Sequence, residues 1–198
     1  MQPAKLNYKI YQGSTFEEMY RWESETKVYV PIQAVSKSAP CVITTAQPHA
    51  LPQGWRFRVV GAGGIKELNS VGDSFYLATD VTANTITINQ TNSLQYTAYT
   101  SGGVIEYNQP VPLNNYSARM QIRETVESTE VLYSGTSTAG GHLLFDNTAK
   151  TILVRIPAAV TATFSFTTAV YSIELYDPNG IVVPFLVGNL TLVPEVTR

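Results

Sequence analysis

The sequence predicts an all-β protein, and three observations lead there. Apolar and polar residues alternate with period two in run after run, the runs are short, and clusters of Gly, Pro, Asn and Asp separate them. The 198 residues are 44% hydrophobic, enough to core one large domain or two small ones.

Taken in order, the first segment is ambiguous. "STFEEMYRW" (14–22) spaces Phe16, Met19 and Tyr20 as on a helix and sets Thr15 three residues before Glu18 as in a capping box, yet its aromatic content suits a strand equally. Strands are then predicted at 27–32, 41–45, 55–60, 75–79, 85–89 and 103–107. "SARMQIR" (117–123) shows the alternation most cleanly, with Ala118, Met120 and Ile122 on one face and Ser117, Arg119, Gln121 and Arg123 on the other. Further strands are predicted at 142–145, 151–156, 170–177, 181–187 and 190–193. "PAAVTAT" (157–163) places Pro157 at a first helical position and predicts one short helical turn. "VTANT", "SGG" and "TAGG" read as turns, and Asp177-Pro178-Asn179-Gly180 is the clearest hairpin signal in the chain.

The stretch "RFRVVGAGGIKELN" (56–69) invites a different reading. Gly61 and Gly63 stand at G-x-G spacing after a strand, and Asp80 ends the next apolar run where a ribose-binding acid would stand. Three requirements of a dinucleotide site fail. The third small position is Lys66, the linker "IKELNSVGDS" is too short and turn-like for a helical crossover, and Trp55, Phe57 and Val59 alternate with Arg56, Arg58 and Val60 as in a half-wet antiparallel sheet. The glycines are therefore read as a turn between antiparallel strands.

Composition narrows the function classes. A net charge of -2, a pI near 5.7 and the absence of any Lys/Arg run argue against a nucleic-acid surface. No apolar stretch approaches a membrane span, and the start "MQPAKLNYKIYQG" lacks a signal peptide, so synthesis in a cytosol is expected. Cys41 is the single cysteine, which excludes an intrachain disulfide and a cysteine-based zinc site; it is read as a small buried hydrophobe. The sequons at Asn89, Asn115 and Asn189 are read as chance.

Candidate chemistry is sparse. His49 is read as fixing its own turn by hydrogen bonding, because no second metal ligand stands at a recognisable spacing, and His142 opens a strand after Gly140-Gly141. No G-x-S-x-G elbow occurs, and the acid pairs Glu17-Glu18 and Asp73 with Asp80 are read as solvated faces. No catalytic, cofactor-binding or metal-binding residue is assigned, no cofactor is expected, and the protein is not expected to be an enzyme.

Two Pro-rich polar segments, "AVSKSAP" (34–40) and "NQPVPLNN" (108–115), bracket a block with its own hairpin rhythm. The expected organisation is a discontinuous domain, 1–32 plus 108–198, with an inserted antiparallel β-domain at 33–107 whose ends near Gln33 and Tyr107 lie close together.

The inserted block, "VITTAQPHALPQGWRFRVVGAGGIKELN" through "VTANTITI" to "YTAYTSGGVIEY", resembles the small FCCH-like β-domain common in tailed-phage structural proteins. Thr44, Pro48, His49, Leu51, Gly54, Val59, Gly61, Gly64, Glu67, Leu68, Asn69, Asn84, Thr85 and Gly102-Gly103 carry the likeness, with Ala50 and Trp55 where glycine and aspartate are usual. The flanks "YQGSTF", "VPLNNYSARMQIRE" and "TILVRIPAAVTATFSF" through "YSIELYDPNGIVVPFLVGNLTLVPEVTR" are similar to the N-terminal Ig-like module of phage baseplate upper proteins. The resemblance implies an Ig-like β-sandwich with an inserted β-domain. It further implies a non-enzymatic structural component of a tailed-phage virion, a tail, baseplate, collar or fibre-attachment adaptor. Expected partners are other virion proteins in a multi-copy symmetric assembly, with no nucleic acid or membrane, and the expected location is the virion, assembled in the bacterial cytoplasm. Receptor-binding relatives continue well beyond the motif that ends this sequence at Arg198, so host recognition is not expected of this polypeptide. Alternatives are a capsid decoration protein or a host-surface glycan-binding module in which Trp55, Tyr96 or Tyr99 would stack on sugars; a depolymerase is the weakest reading.

Overall fold

The structure, a computed structural model, describes residues 2–196, so the final Thr197 and Arg198 of the C-terminal motif lie outside the described residues. The protein is all-β. Its strands in chain order are β1 (Ala4–Lys5), β2 (Tyr8–Tyr11), β3 (Phe16–Arg21), β4 (Glu23–Val35), β5 (Cys41–Thr45), β6 (Arg56–Val60), β7 (Tyr76–Leu77), β8 (Asp80–Val81), β9 (Thr85–Ile88) and β10 (Val104–Pro110). There follow β11 (Ser117–Arg123), β12 (Tyr133–Thr136), β13 (Leu143–Asp146), β14 (Thr151–Ile156), the single helical turn α1 (Ala158–Thr161), β15 (Thr168–Tyr176) and β16 (Val182–Val193).

Contacts divide the chain into two compact units, one of 1–21, 112–147 and 151–198, the other of 22–111 and 148–150. The division falls at Arg21/Trp22 and Val111/Pro112, where composition suggested 32/33 and 107/108. The reason lies in β4, which pairs with β10 from Pro31↔Val104 back to Glu23↔Pro110 and so carries its whole length into the second unit.

In the first unit, β1-β16-β15-β11-β12 form a sheet in that order, with β2 also parallel to β16, and β13-β14-β3 form a three-stranded sheet. The alternation in β11 places Ala118, Met120 and Ile122 in the core as expected. Beside them in the same sheet Leu175, Ile173 and Tyr171 of β15 are buried, as are Ile152, Val154 and Ile156 of β14. Segment 16–21 resolves as a strand, paired with β14 from Phe16↔Ile156 to Arg21↔Thr151. Phe16 and Tyr20 then share the inner face, where Tyr8 meets both, edge-on against Phe16 and hydroxyl to hydroxyl at 2.9 Å with Tyr20. The runs 181–187 and 190–193 merge into the one strand β16. Gly188 permits this, since a Cβ there would stand 1.6 Å from the Leu6 carbonyl oxygen. Asp177-Pro178-Asn179-Gly180 makes the β15–β16 hairpin, the Asp177 carboxylate accepting from the N–H groups of Asn179 (2.8 Å) and Ile181 (2.7 Å).

In the second unit the order is β7-β6-β10-β4-β5-β9-β8. β4 pairs with β10 over its first part and with β5 over its last, bending at a register shift between Ile32 and Ala34. The sheet curls until its two ends are served by one passage of chain: the Ala78 N–H bonds back to Trp55 beside β6, and the Thr79 N–H bonds to Thr87 of β9. That crossing shortens the expected strand at 75–79 to the two residues of β7, and β8 begins just beyond it. Inside the curl lies one apolar cluster including Ile43, Trp55, Phe57, Val59, Ile86 and Ile105.

Candidate functional site

The residues that carried the sequence-level motifs come first. After β6, Gly61 (φ +73°) and Gly64 (φ +79°) turn the chain in the left-handed region that favours glycine. The Gly63 N–H donates to the Ser101 carbonyl (2.8 Å), and the Thr100 N–H donates back to the Gly63 carbonyl (3.0 Å). "GAGG" is thereby laced to "TSGG". The fit leaves no room: a Cβ at Gly64 would stand 2.1 Å from the Ala98 oxygen, and one at Gly103 2.7 Å from the Ala62 backbone. The Asn69 side chain closes the turn by accepting from the Ala62 N–H (2.8 Å) and donating to the Ala62 carbonyl (3.0 Å), as a neighbouring strand would. Only a three-residue 3-10 turn, Lys66–Leu68, follows. A phosphate-binding helix N-terminus is absent from this stretch, and the glycines form a turn between antiparallel strands, as read from Lys66, the short linker and the half-wet alternation of β6.

His49 is buried. Its Nδ1 accepts from the Leu51 N–H (3.0 Å), so the proton sits on Nε2, which donates to the Thr85 carbonyl (3.2 Å). Tyr107 donates its hydroxyl to the His49 carbonyl. Burial lowers the imidazole pKa, so the ring is held neutral as a bracket between the turn and β9. Ala50 adopts φ +51° directly after it.

The aromatic residues expected to stack on a glycan are placed differently. Trp55 is fully buried and donates its indole N–H to the Asn108 carbonyl (3.0 Å), so it presents no face to a sugar. Tyr99 bonds through its hydroxyl to the carbonyls of Ile32 and Gly102 (both 3.0 Å), and Tyr96 packs against the core cluster. Of the three rings Trp55 is closed to a sugar, while Tyr96 and Tyr99 are half-buried.

The remaining chemical candidates do not converge. Cys41 is buried in the second unit's core, and burial raises its thiol pKa, opposite to the shift that makes a nucleophile. His142 stacks on Tyr133 and shares a 2.5 Å hydrogen bond through Nδ1 with its hydroxyl, whose pKa burial pushes up to about 12. Glu17 and Glu18 are neighbours on β3 and point to opposite faces, with Glu17 paired to Arg155 at 3.1 Å. Asp80 begins β8, while Asp73 lies in the exposed loop before β7. Among the described residues no group of three or more His, Cys, Asp or Glu side chains is placed to hold a metal.

What the folding residues leave to a partner is surface. On the outer face of the three-stranded sheet, Leu144, Leu153 and Met19 lie in one cross-strand row, Met19 57% and Leu144 47% exposed. The outer face of the larger sheet carries a hollow of about 390 Å³, floored by Val170 and Val187 and rimmed by Lys5, Gln121, Arg123, Ser172 and Asn189. Arg123 is pinned there by hydrogen bonds to the Ser128 carbonyl (2.5 Å) and the Gln121 side chain (3.1 Å). Neither surface was visible in the sequence, because a cross-strand row exists only once the register is fixed. Compared with known proteins, the chain matches no protein-family model and no curated protein sequence.

Proposed function

We propose that the protein is a non-enzymatic structural component of a tailed-phage virion, an adaptor of the tail, baseplate, collar or fibre attachment that works through protein–protein interfaces. The observation that carries this reading is how the motif residues are spent. Gly64, Asn69, Gly103 and His49, which carry the resemblance to the phage β-domain, are each used to fix a turn against a neighbouring strand. A signature made of such residues marks a rigid building block rather than a reaction centre. Rigid sheets that hold outward apolar rows, as at Met19, Leu153 and Leu144, suit a part whose partners read its surface.

The reading is tested on purified particles. Mass spectrometry of density-banded virions should find this chain in a fixed, symmetric copy number relative to the major tail proteins, and single-particle imaging should place it against other subunits. A chain present in the infected-cell lysate but missing from the particles would remove the proposal.

A further inference from the structure

We propose that the free edge of β3 is a self-association surface, on which two copies of this chain pair β3 against β3, antiparallel, about a two-fold axis through Met19. The inference uses β3 alone and stands whether or not the virion reading does.

β3 ends the sheet order β13-β14-β3, so one row of its backbone N–H and C=O groups is unpaired by any strand of its own chain among the described residues. It is six residues long, where the edge strands β12 and β13 have four each and β1, β7 and β8 two each. It contains no proline or lysine and its register with β14 runs unbroken, while Glu17, Glu18 and Arg21 charge half of it, so the edge admits only a strand that complements those charges. The outer face of β3 reads Glu17, Met19, Arg21: acid, apolar, base. An antiparallel two-fold reverses that order, which makes the strand complementary to itself. Glu17 meets Arg21 of the second copy, Met19 meets Met19, and Arg21 meets Glu17.

Charge also selects the register. A symmetric pair that keeps both outer faces on one side must be centred on a residue. Centring on Glu18 sets two carboxylates opposite each other, and centring on Tyr20 sets Met19 against Arg21. Only Met19 at the centre pairs both outer-face charges, and on the inner face it sets Glu18 opposite Tyr20 rather than opposite another carboxylate. Arg21 has no carboxylate partner in its own chain among the described residues, and its Nε is buried without a hydrogen bond. In the pair, the row Leu144–Leu153–Met19 continues across the axis into the same row of the second copy, giving one apolar band. A strand this short buries less than the ~1,200 Å² of a stable complex, so association is weak and rises with concentration.

The test is sedimentation equilibrium on the full chain from micromolar to near-millimolar concentration. The expected mass climbs from 21.7 kDa toward twice that value, less steeply at high salt. Glu17→Arg and Arg21→Glu each set like charges face to face twice, and each variant alone should remain at the monomer mass. Mixed in equal amounts, they should dimerise, because two arginines on one copy then face two glutamates on the other. A wild type that stays monomeric throughout, single variants that associate as the wild type does, or folded variants whose mixture stays monomeric would each overturn the proposal. If either charge variant fails to fold, Met19→Lys at an exposed position serves instead, and association that survives it is equally decisive against.

Discussion

The behaviour of His49 follows from a single proton. With Nδ1 accepting from Leu51 and Nε2 donating to Thr85, the neutral ring satisfies two backbone groups that the protonated ring could not both serve. Burial lowers the folded-state pKa below the ordinary 6.5. Above that value the ring is neutral in both states and its contribution to stability is fully present. As pH falls below 6.5 the unfolded chain takes up a proton that the folded chain refuses, and the contribution is lost progressively down through the lowered folded value. Urea midpoints measured between pH 7.5 and pH 5 should therefore fall more steeply for the wild type than for His49→Phe. The variant itself should lose about 2 kcal/mol at neutral pH, because the Leu51 N–H and the Thr85 carbonyl are left without the ring. Equal pH slopes in the two proteins would show that the ring does not titrate against folding.

At the level of elements, the laced turn between β6 and β10 separates two costs that glycine substitutions usually mix. Gly64 and Gly72 both have positive φ, +79° and +56°, but a Cβ at Gly64 meets the Ala98 oxygen at 2.1 Å and one at Gly72 meets nothing within 4 Å. Gly72→Ala should cost only the backbone strain, about 1 kcal/mol, and Gly64→Ala about 3 kcal/mol or more because Ala98 and Thr100 must move apart. Equal losses in denaturation would mean that the lacing to "TSGG" contributes nothing. The same turn shows what the sequence discloses. Strands with one wet and one dry face were legible to the residue, as in Cys41–Thr45, Ser117–Arg123 and Thr151–Ile156. Phe16, Met19 and Tyr20 fit two periodicities at once, and only pairing with β14 decides between them. β12, Tyr133–Thr136, has one large apolar residue and no pattern of its own; it is a strand because β11 offers it a ladder from Arg119↔Thr136 to Ile122↔Tyr133. Trp55 was available in the sequence, since it lies in phase with Phe57 and Val59, and that alternation pointed the indole inward rather than toward a ligand.

For the whole molecule, the decisive feature is that the middle of the chain leaves and returns at one place. The Val111 N–H donates to the Trp22 carbonyl at 3.0 Å, so the two ends of segment 22–111 are adjacent. Between those ends the segment contains a complete curled sheet and its own apolar cluster, every member of which lies within it. Its remaining outer-face ion pairs are internal too, Glu23 holding Arg56 through two 2.7 Å hydrogen bonds and Lys27 meeting Glu106. A segment with closed ends and a private core should fold without the rest of the chain. Residues 22–111 expressed alone are expected to give a β-type far-UV spectrum and a single cooperative urea transition. Conversely, joining Arg21 to Pro112 through a short glycine-containing loop should leave the sandwich of the first unit folded, because the gap to be bridged is only that between two hydrogen-bonded neighbours. If 22–111 alone is unfolded while the full chain is cooperative, the segment depends on the remaining residues, Thr148–Lys150 first among them because they cluster with it. Adding back that tripeptide through a linker then distinguishes a missing local contact, which it would restore, from a fold that exists only within the whole chain.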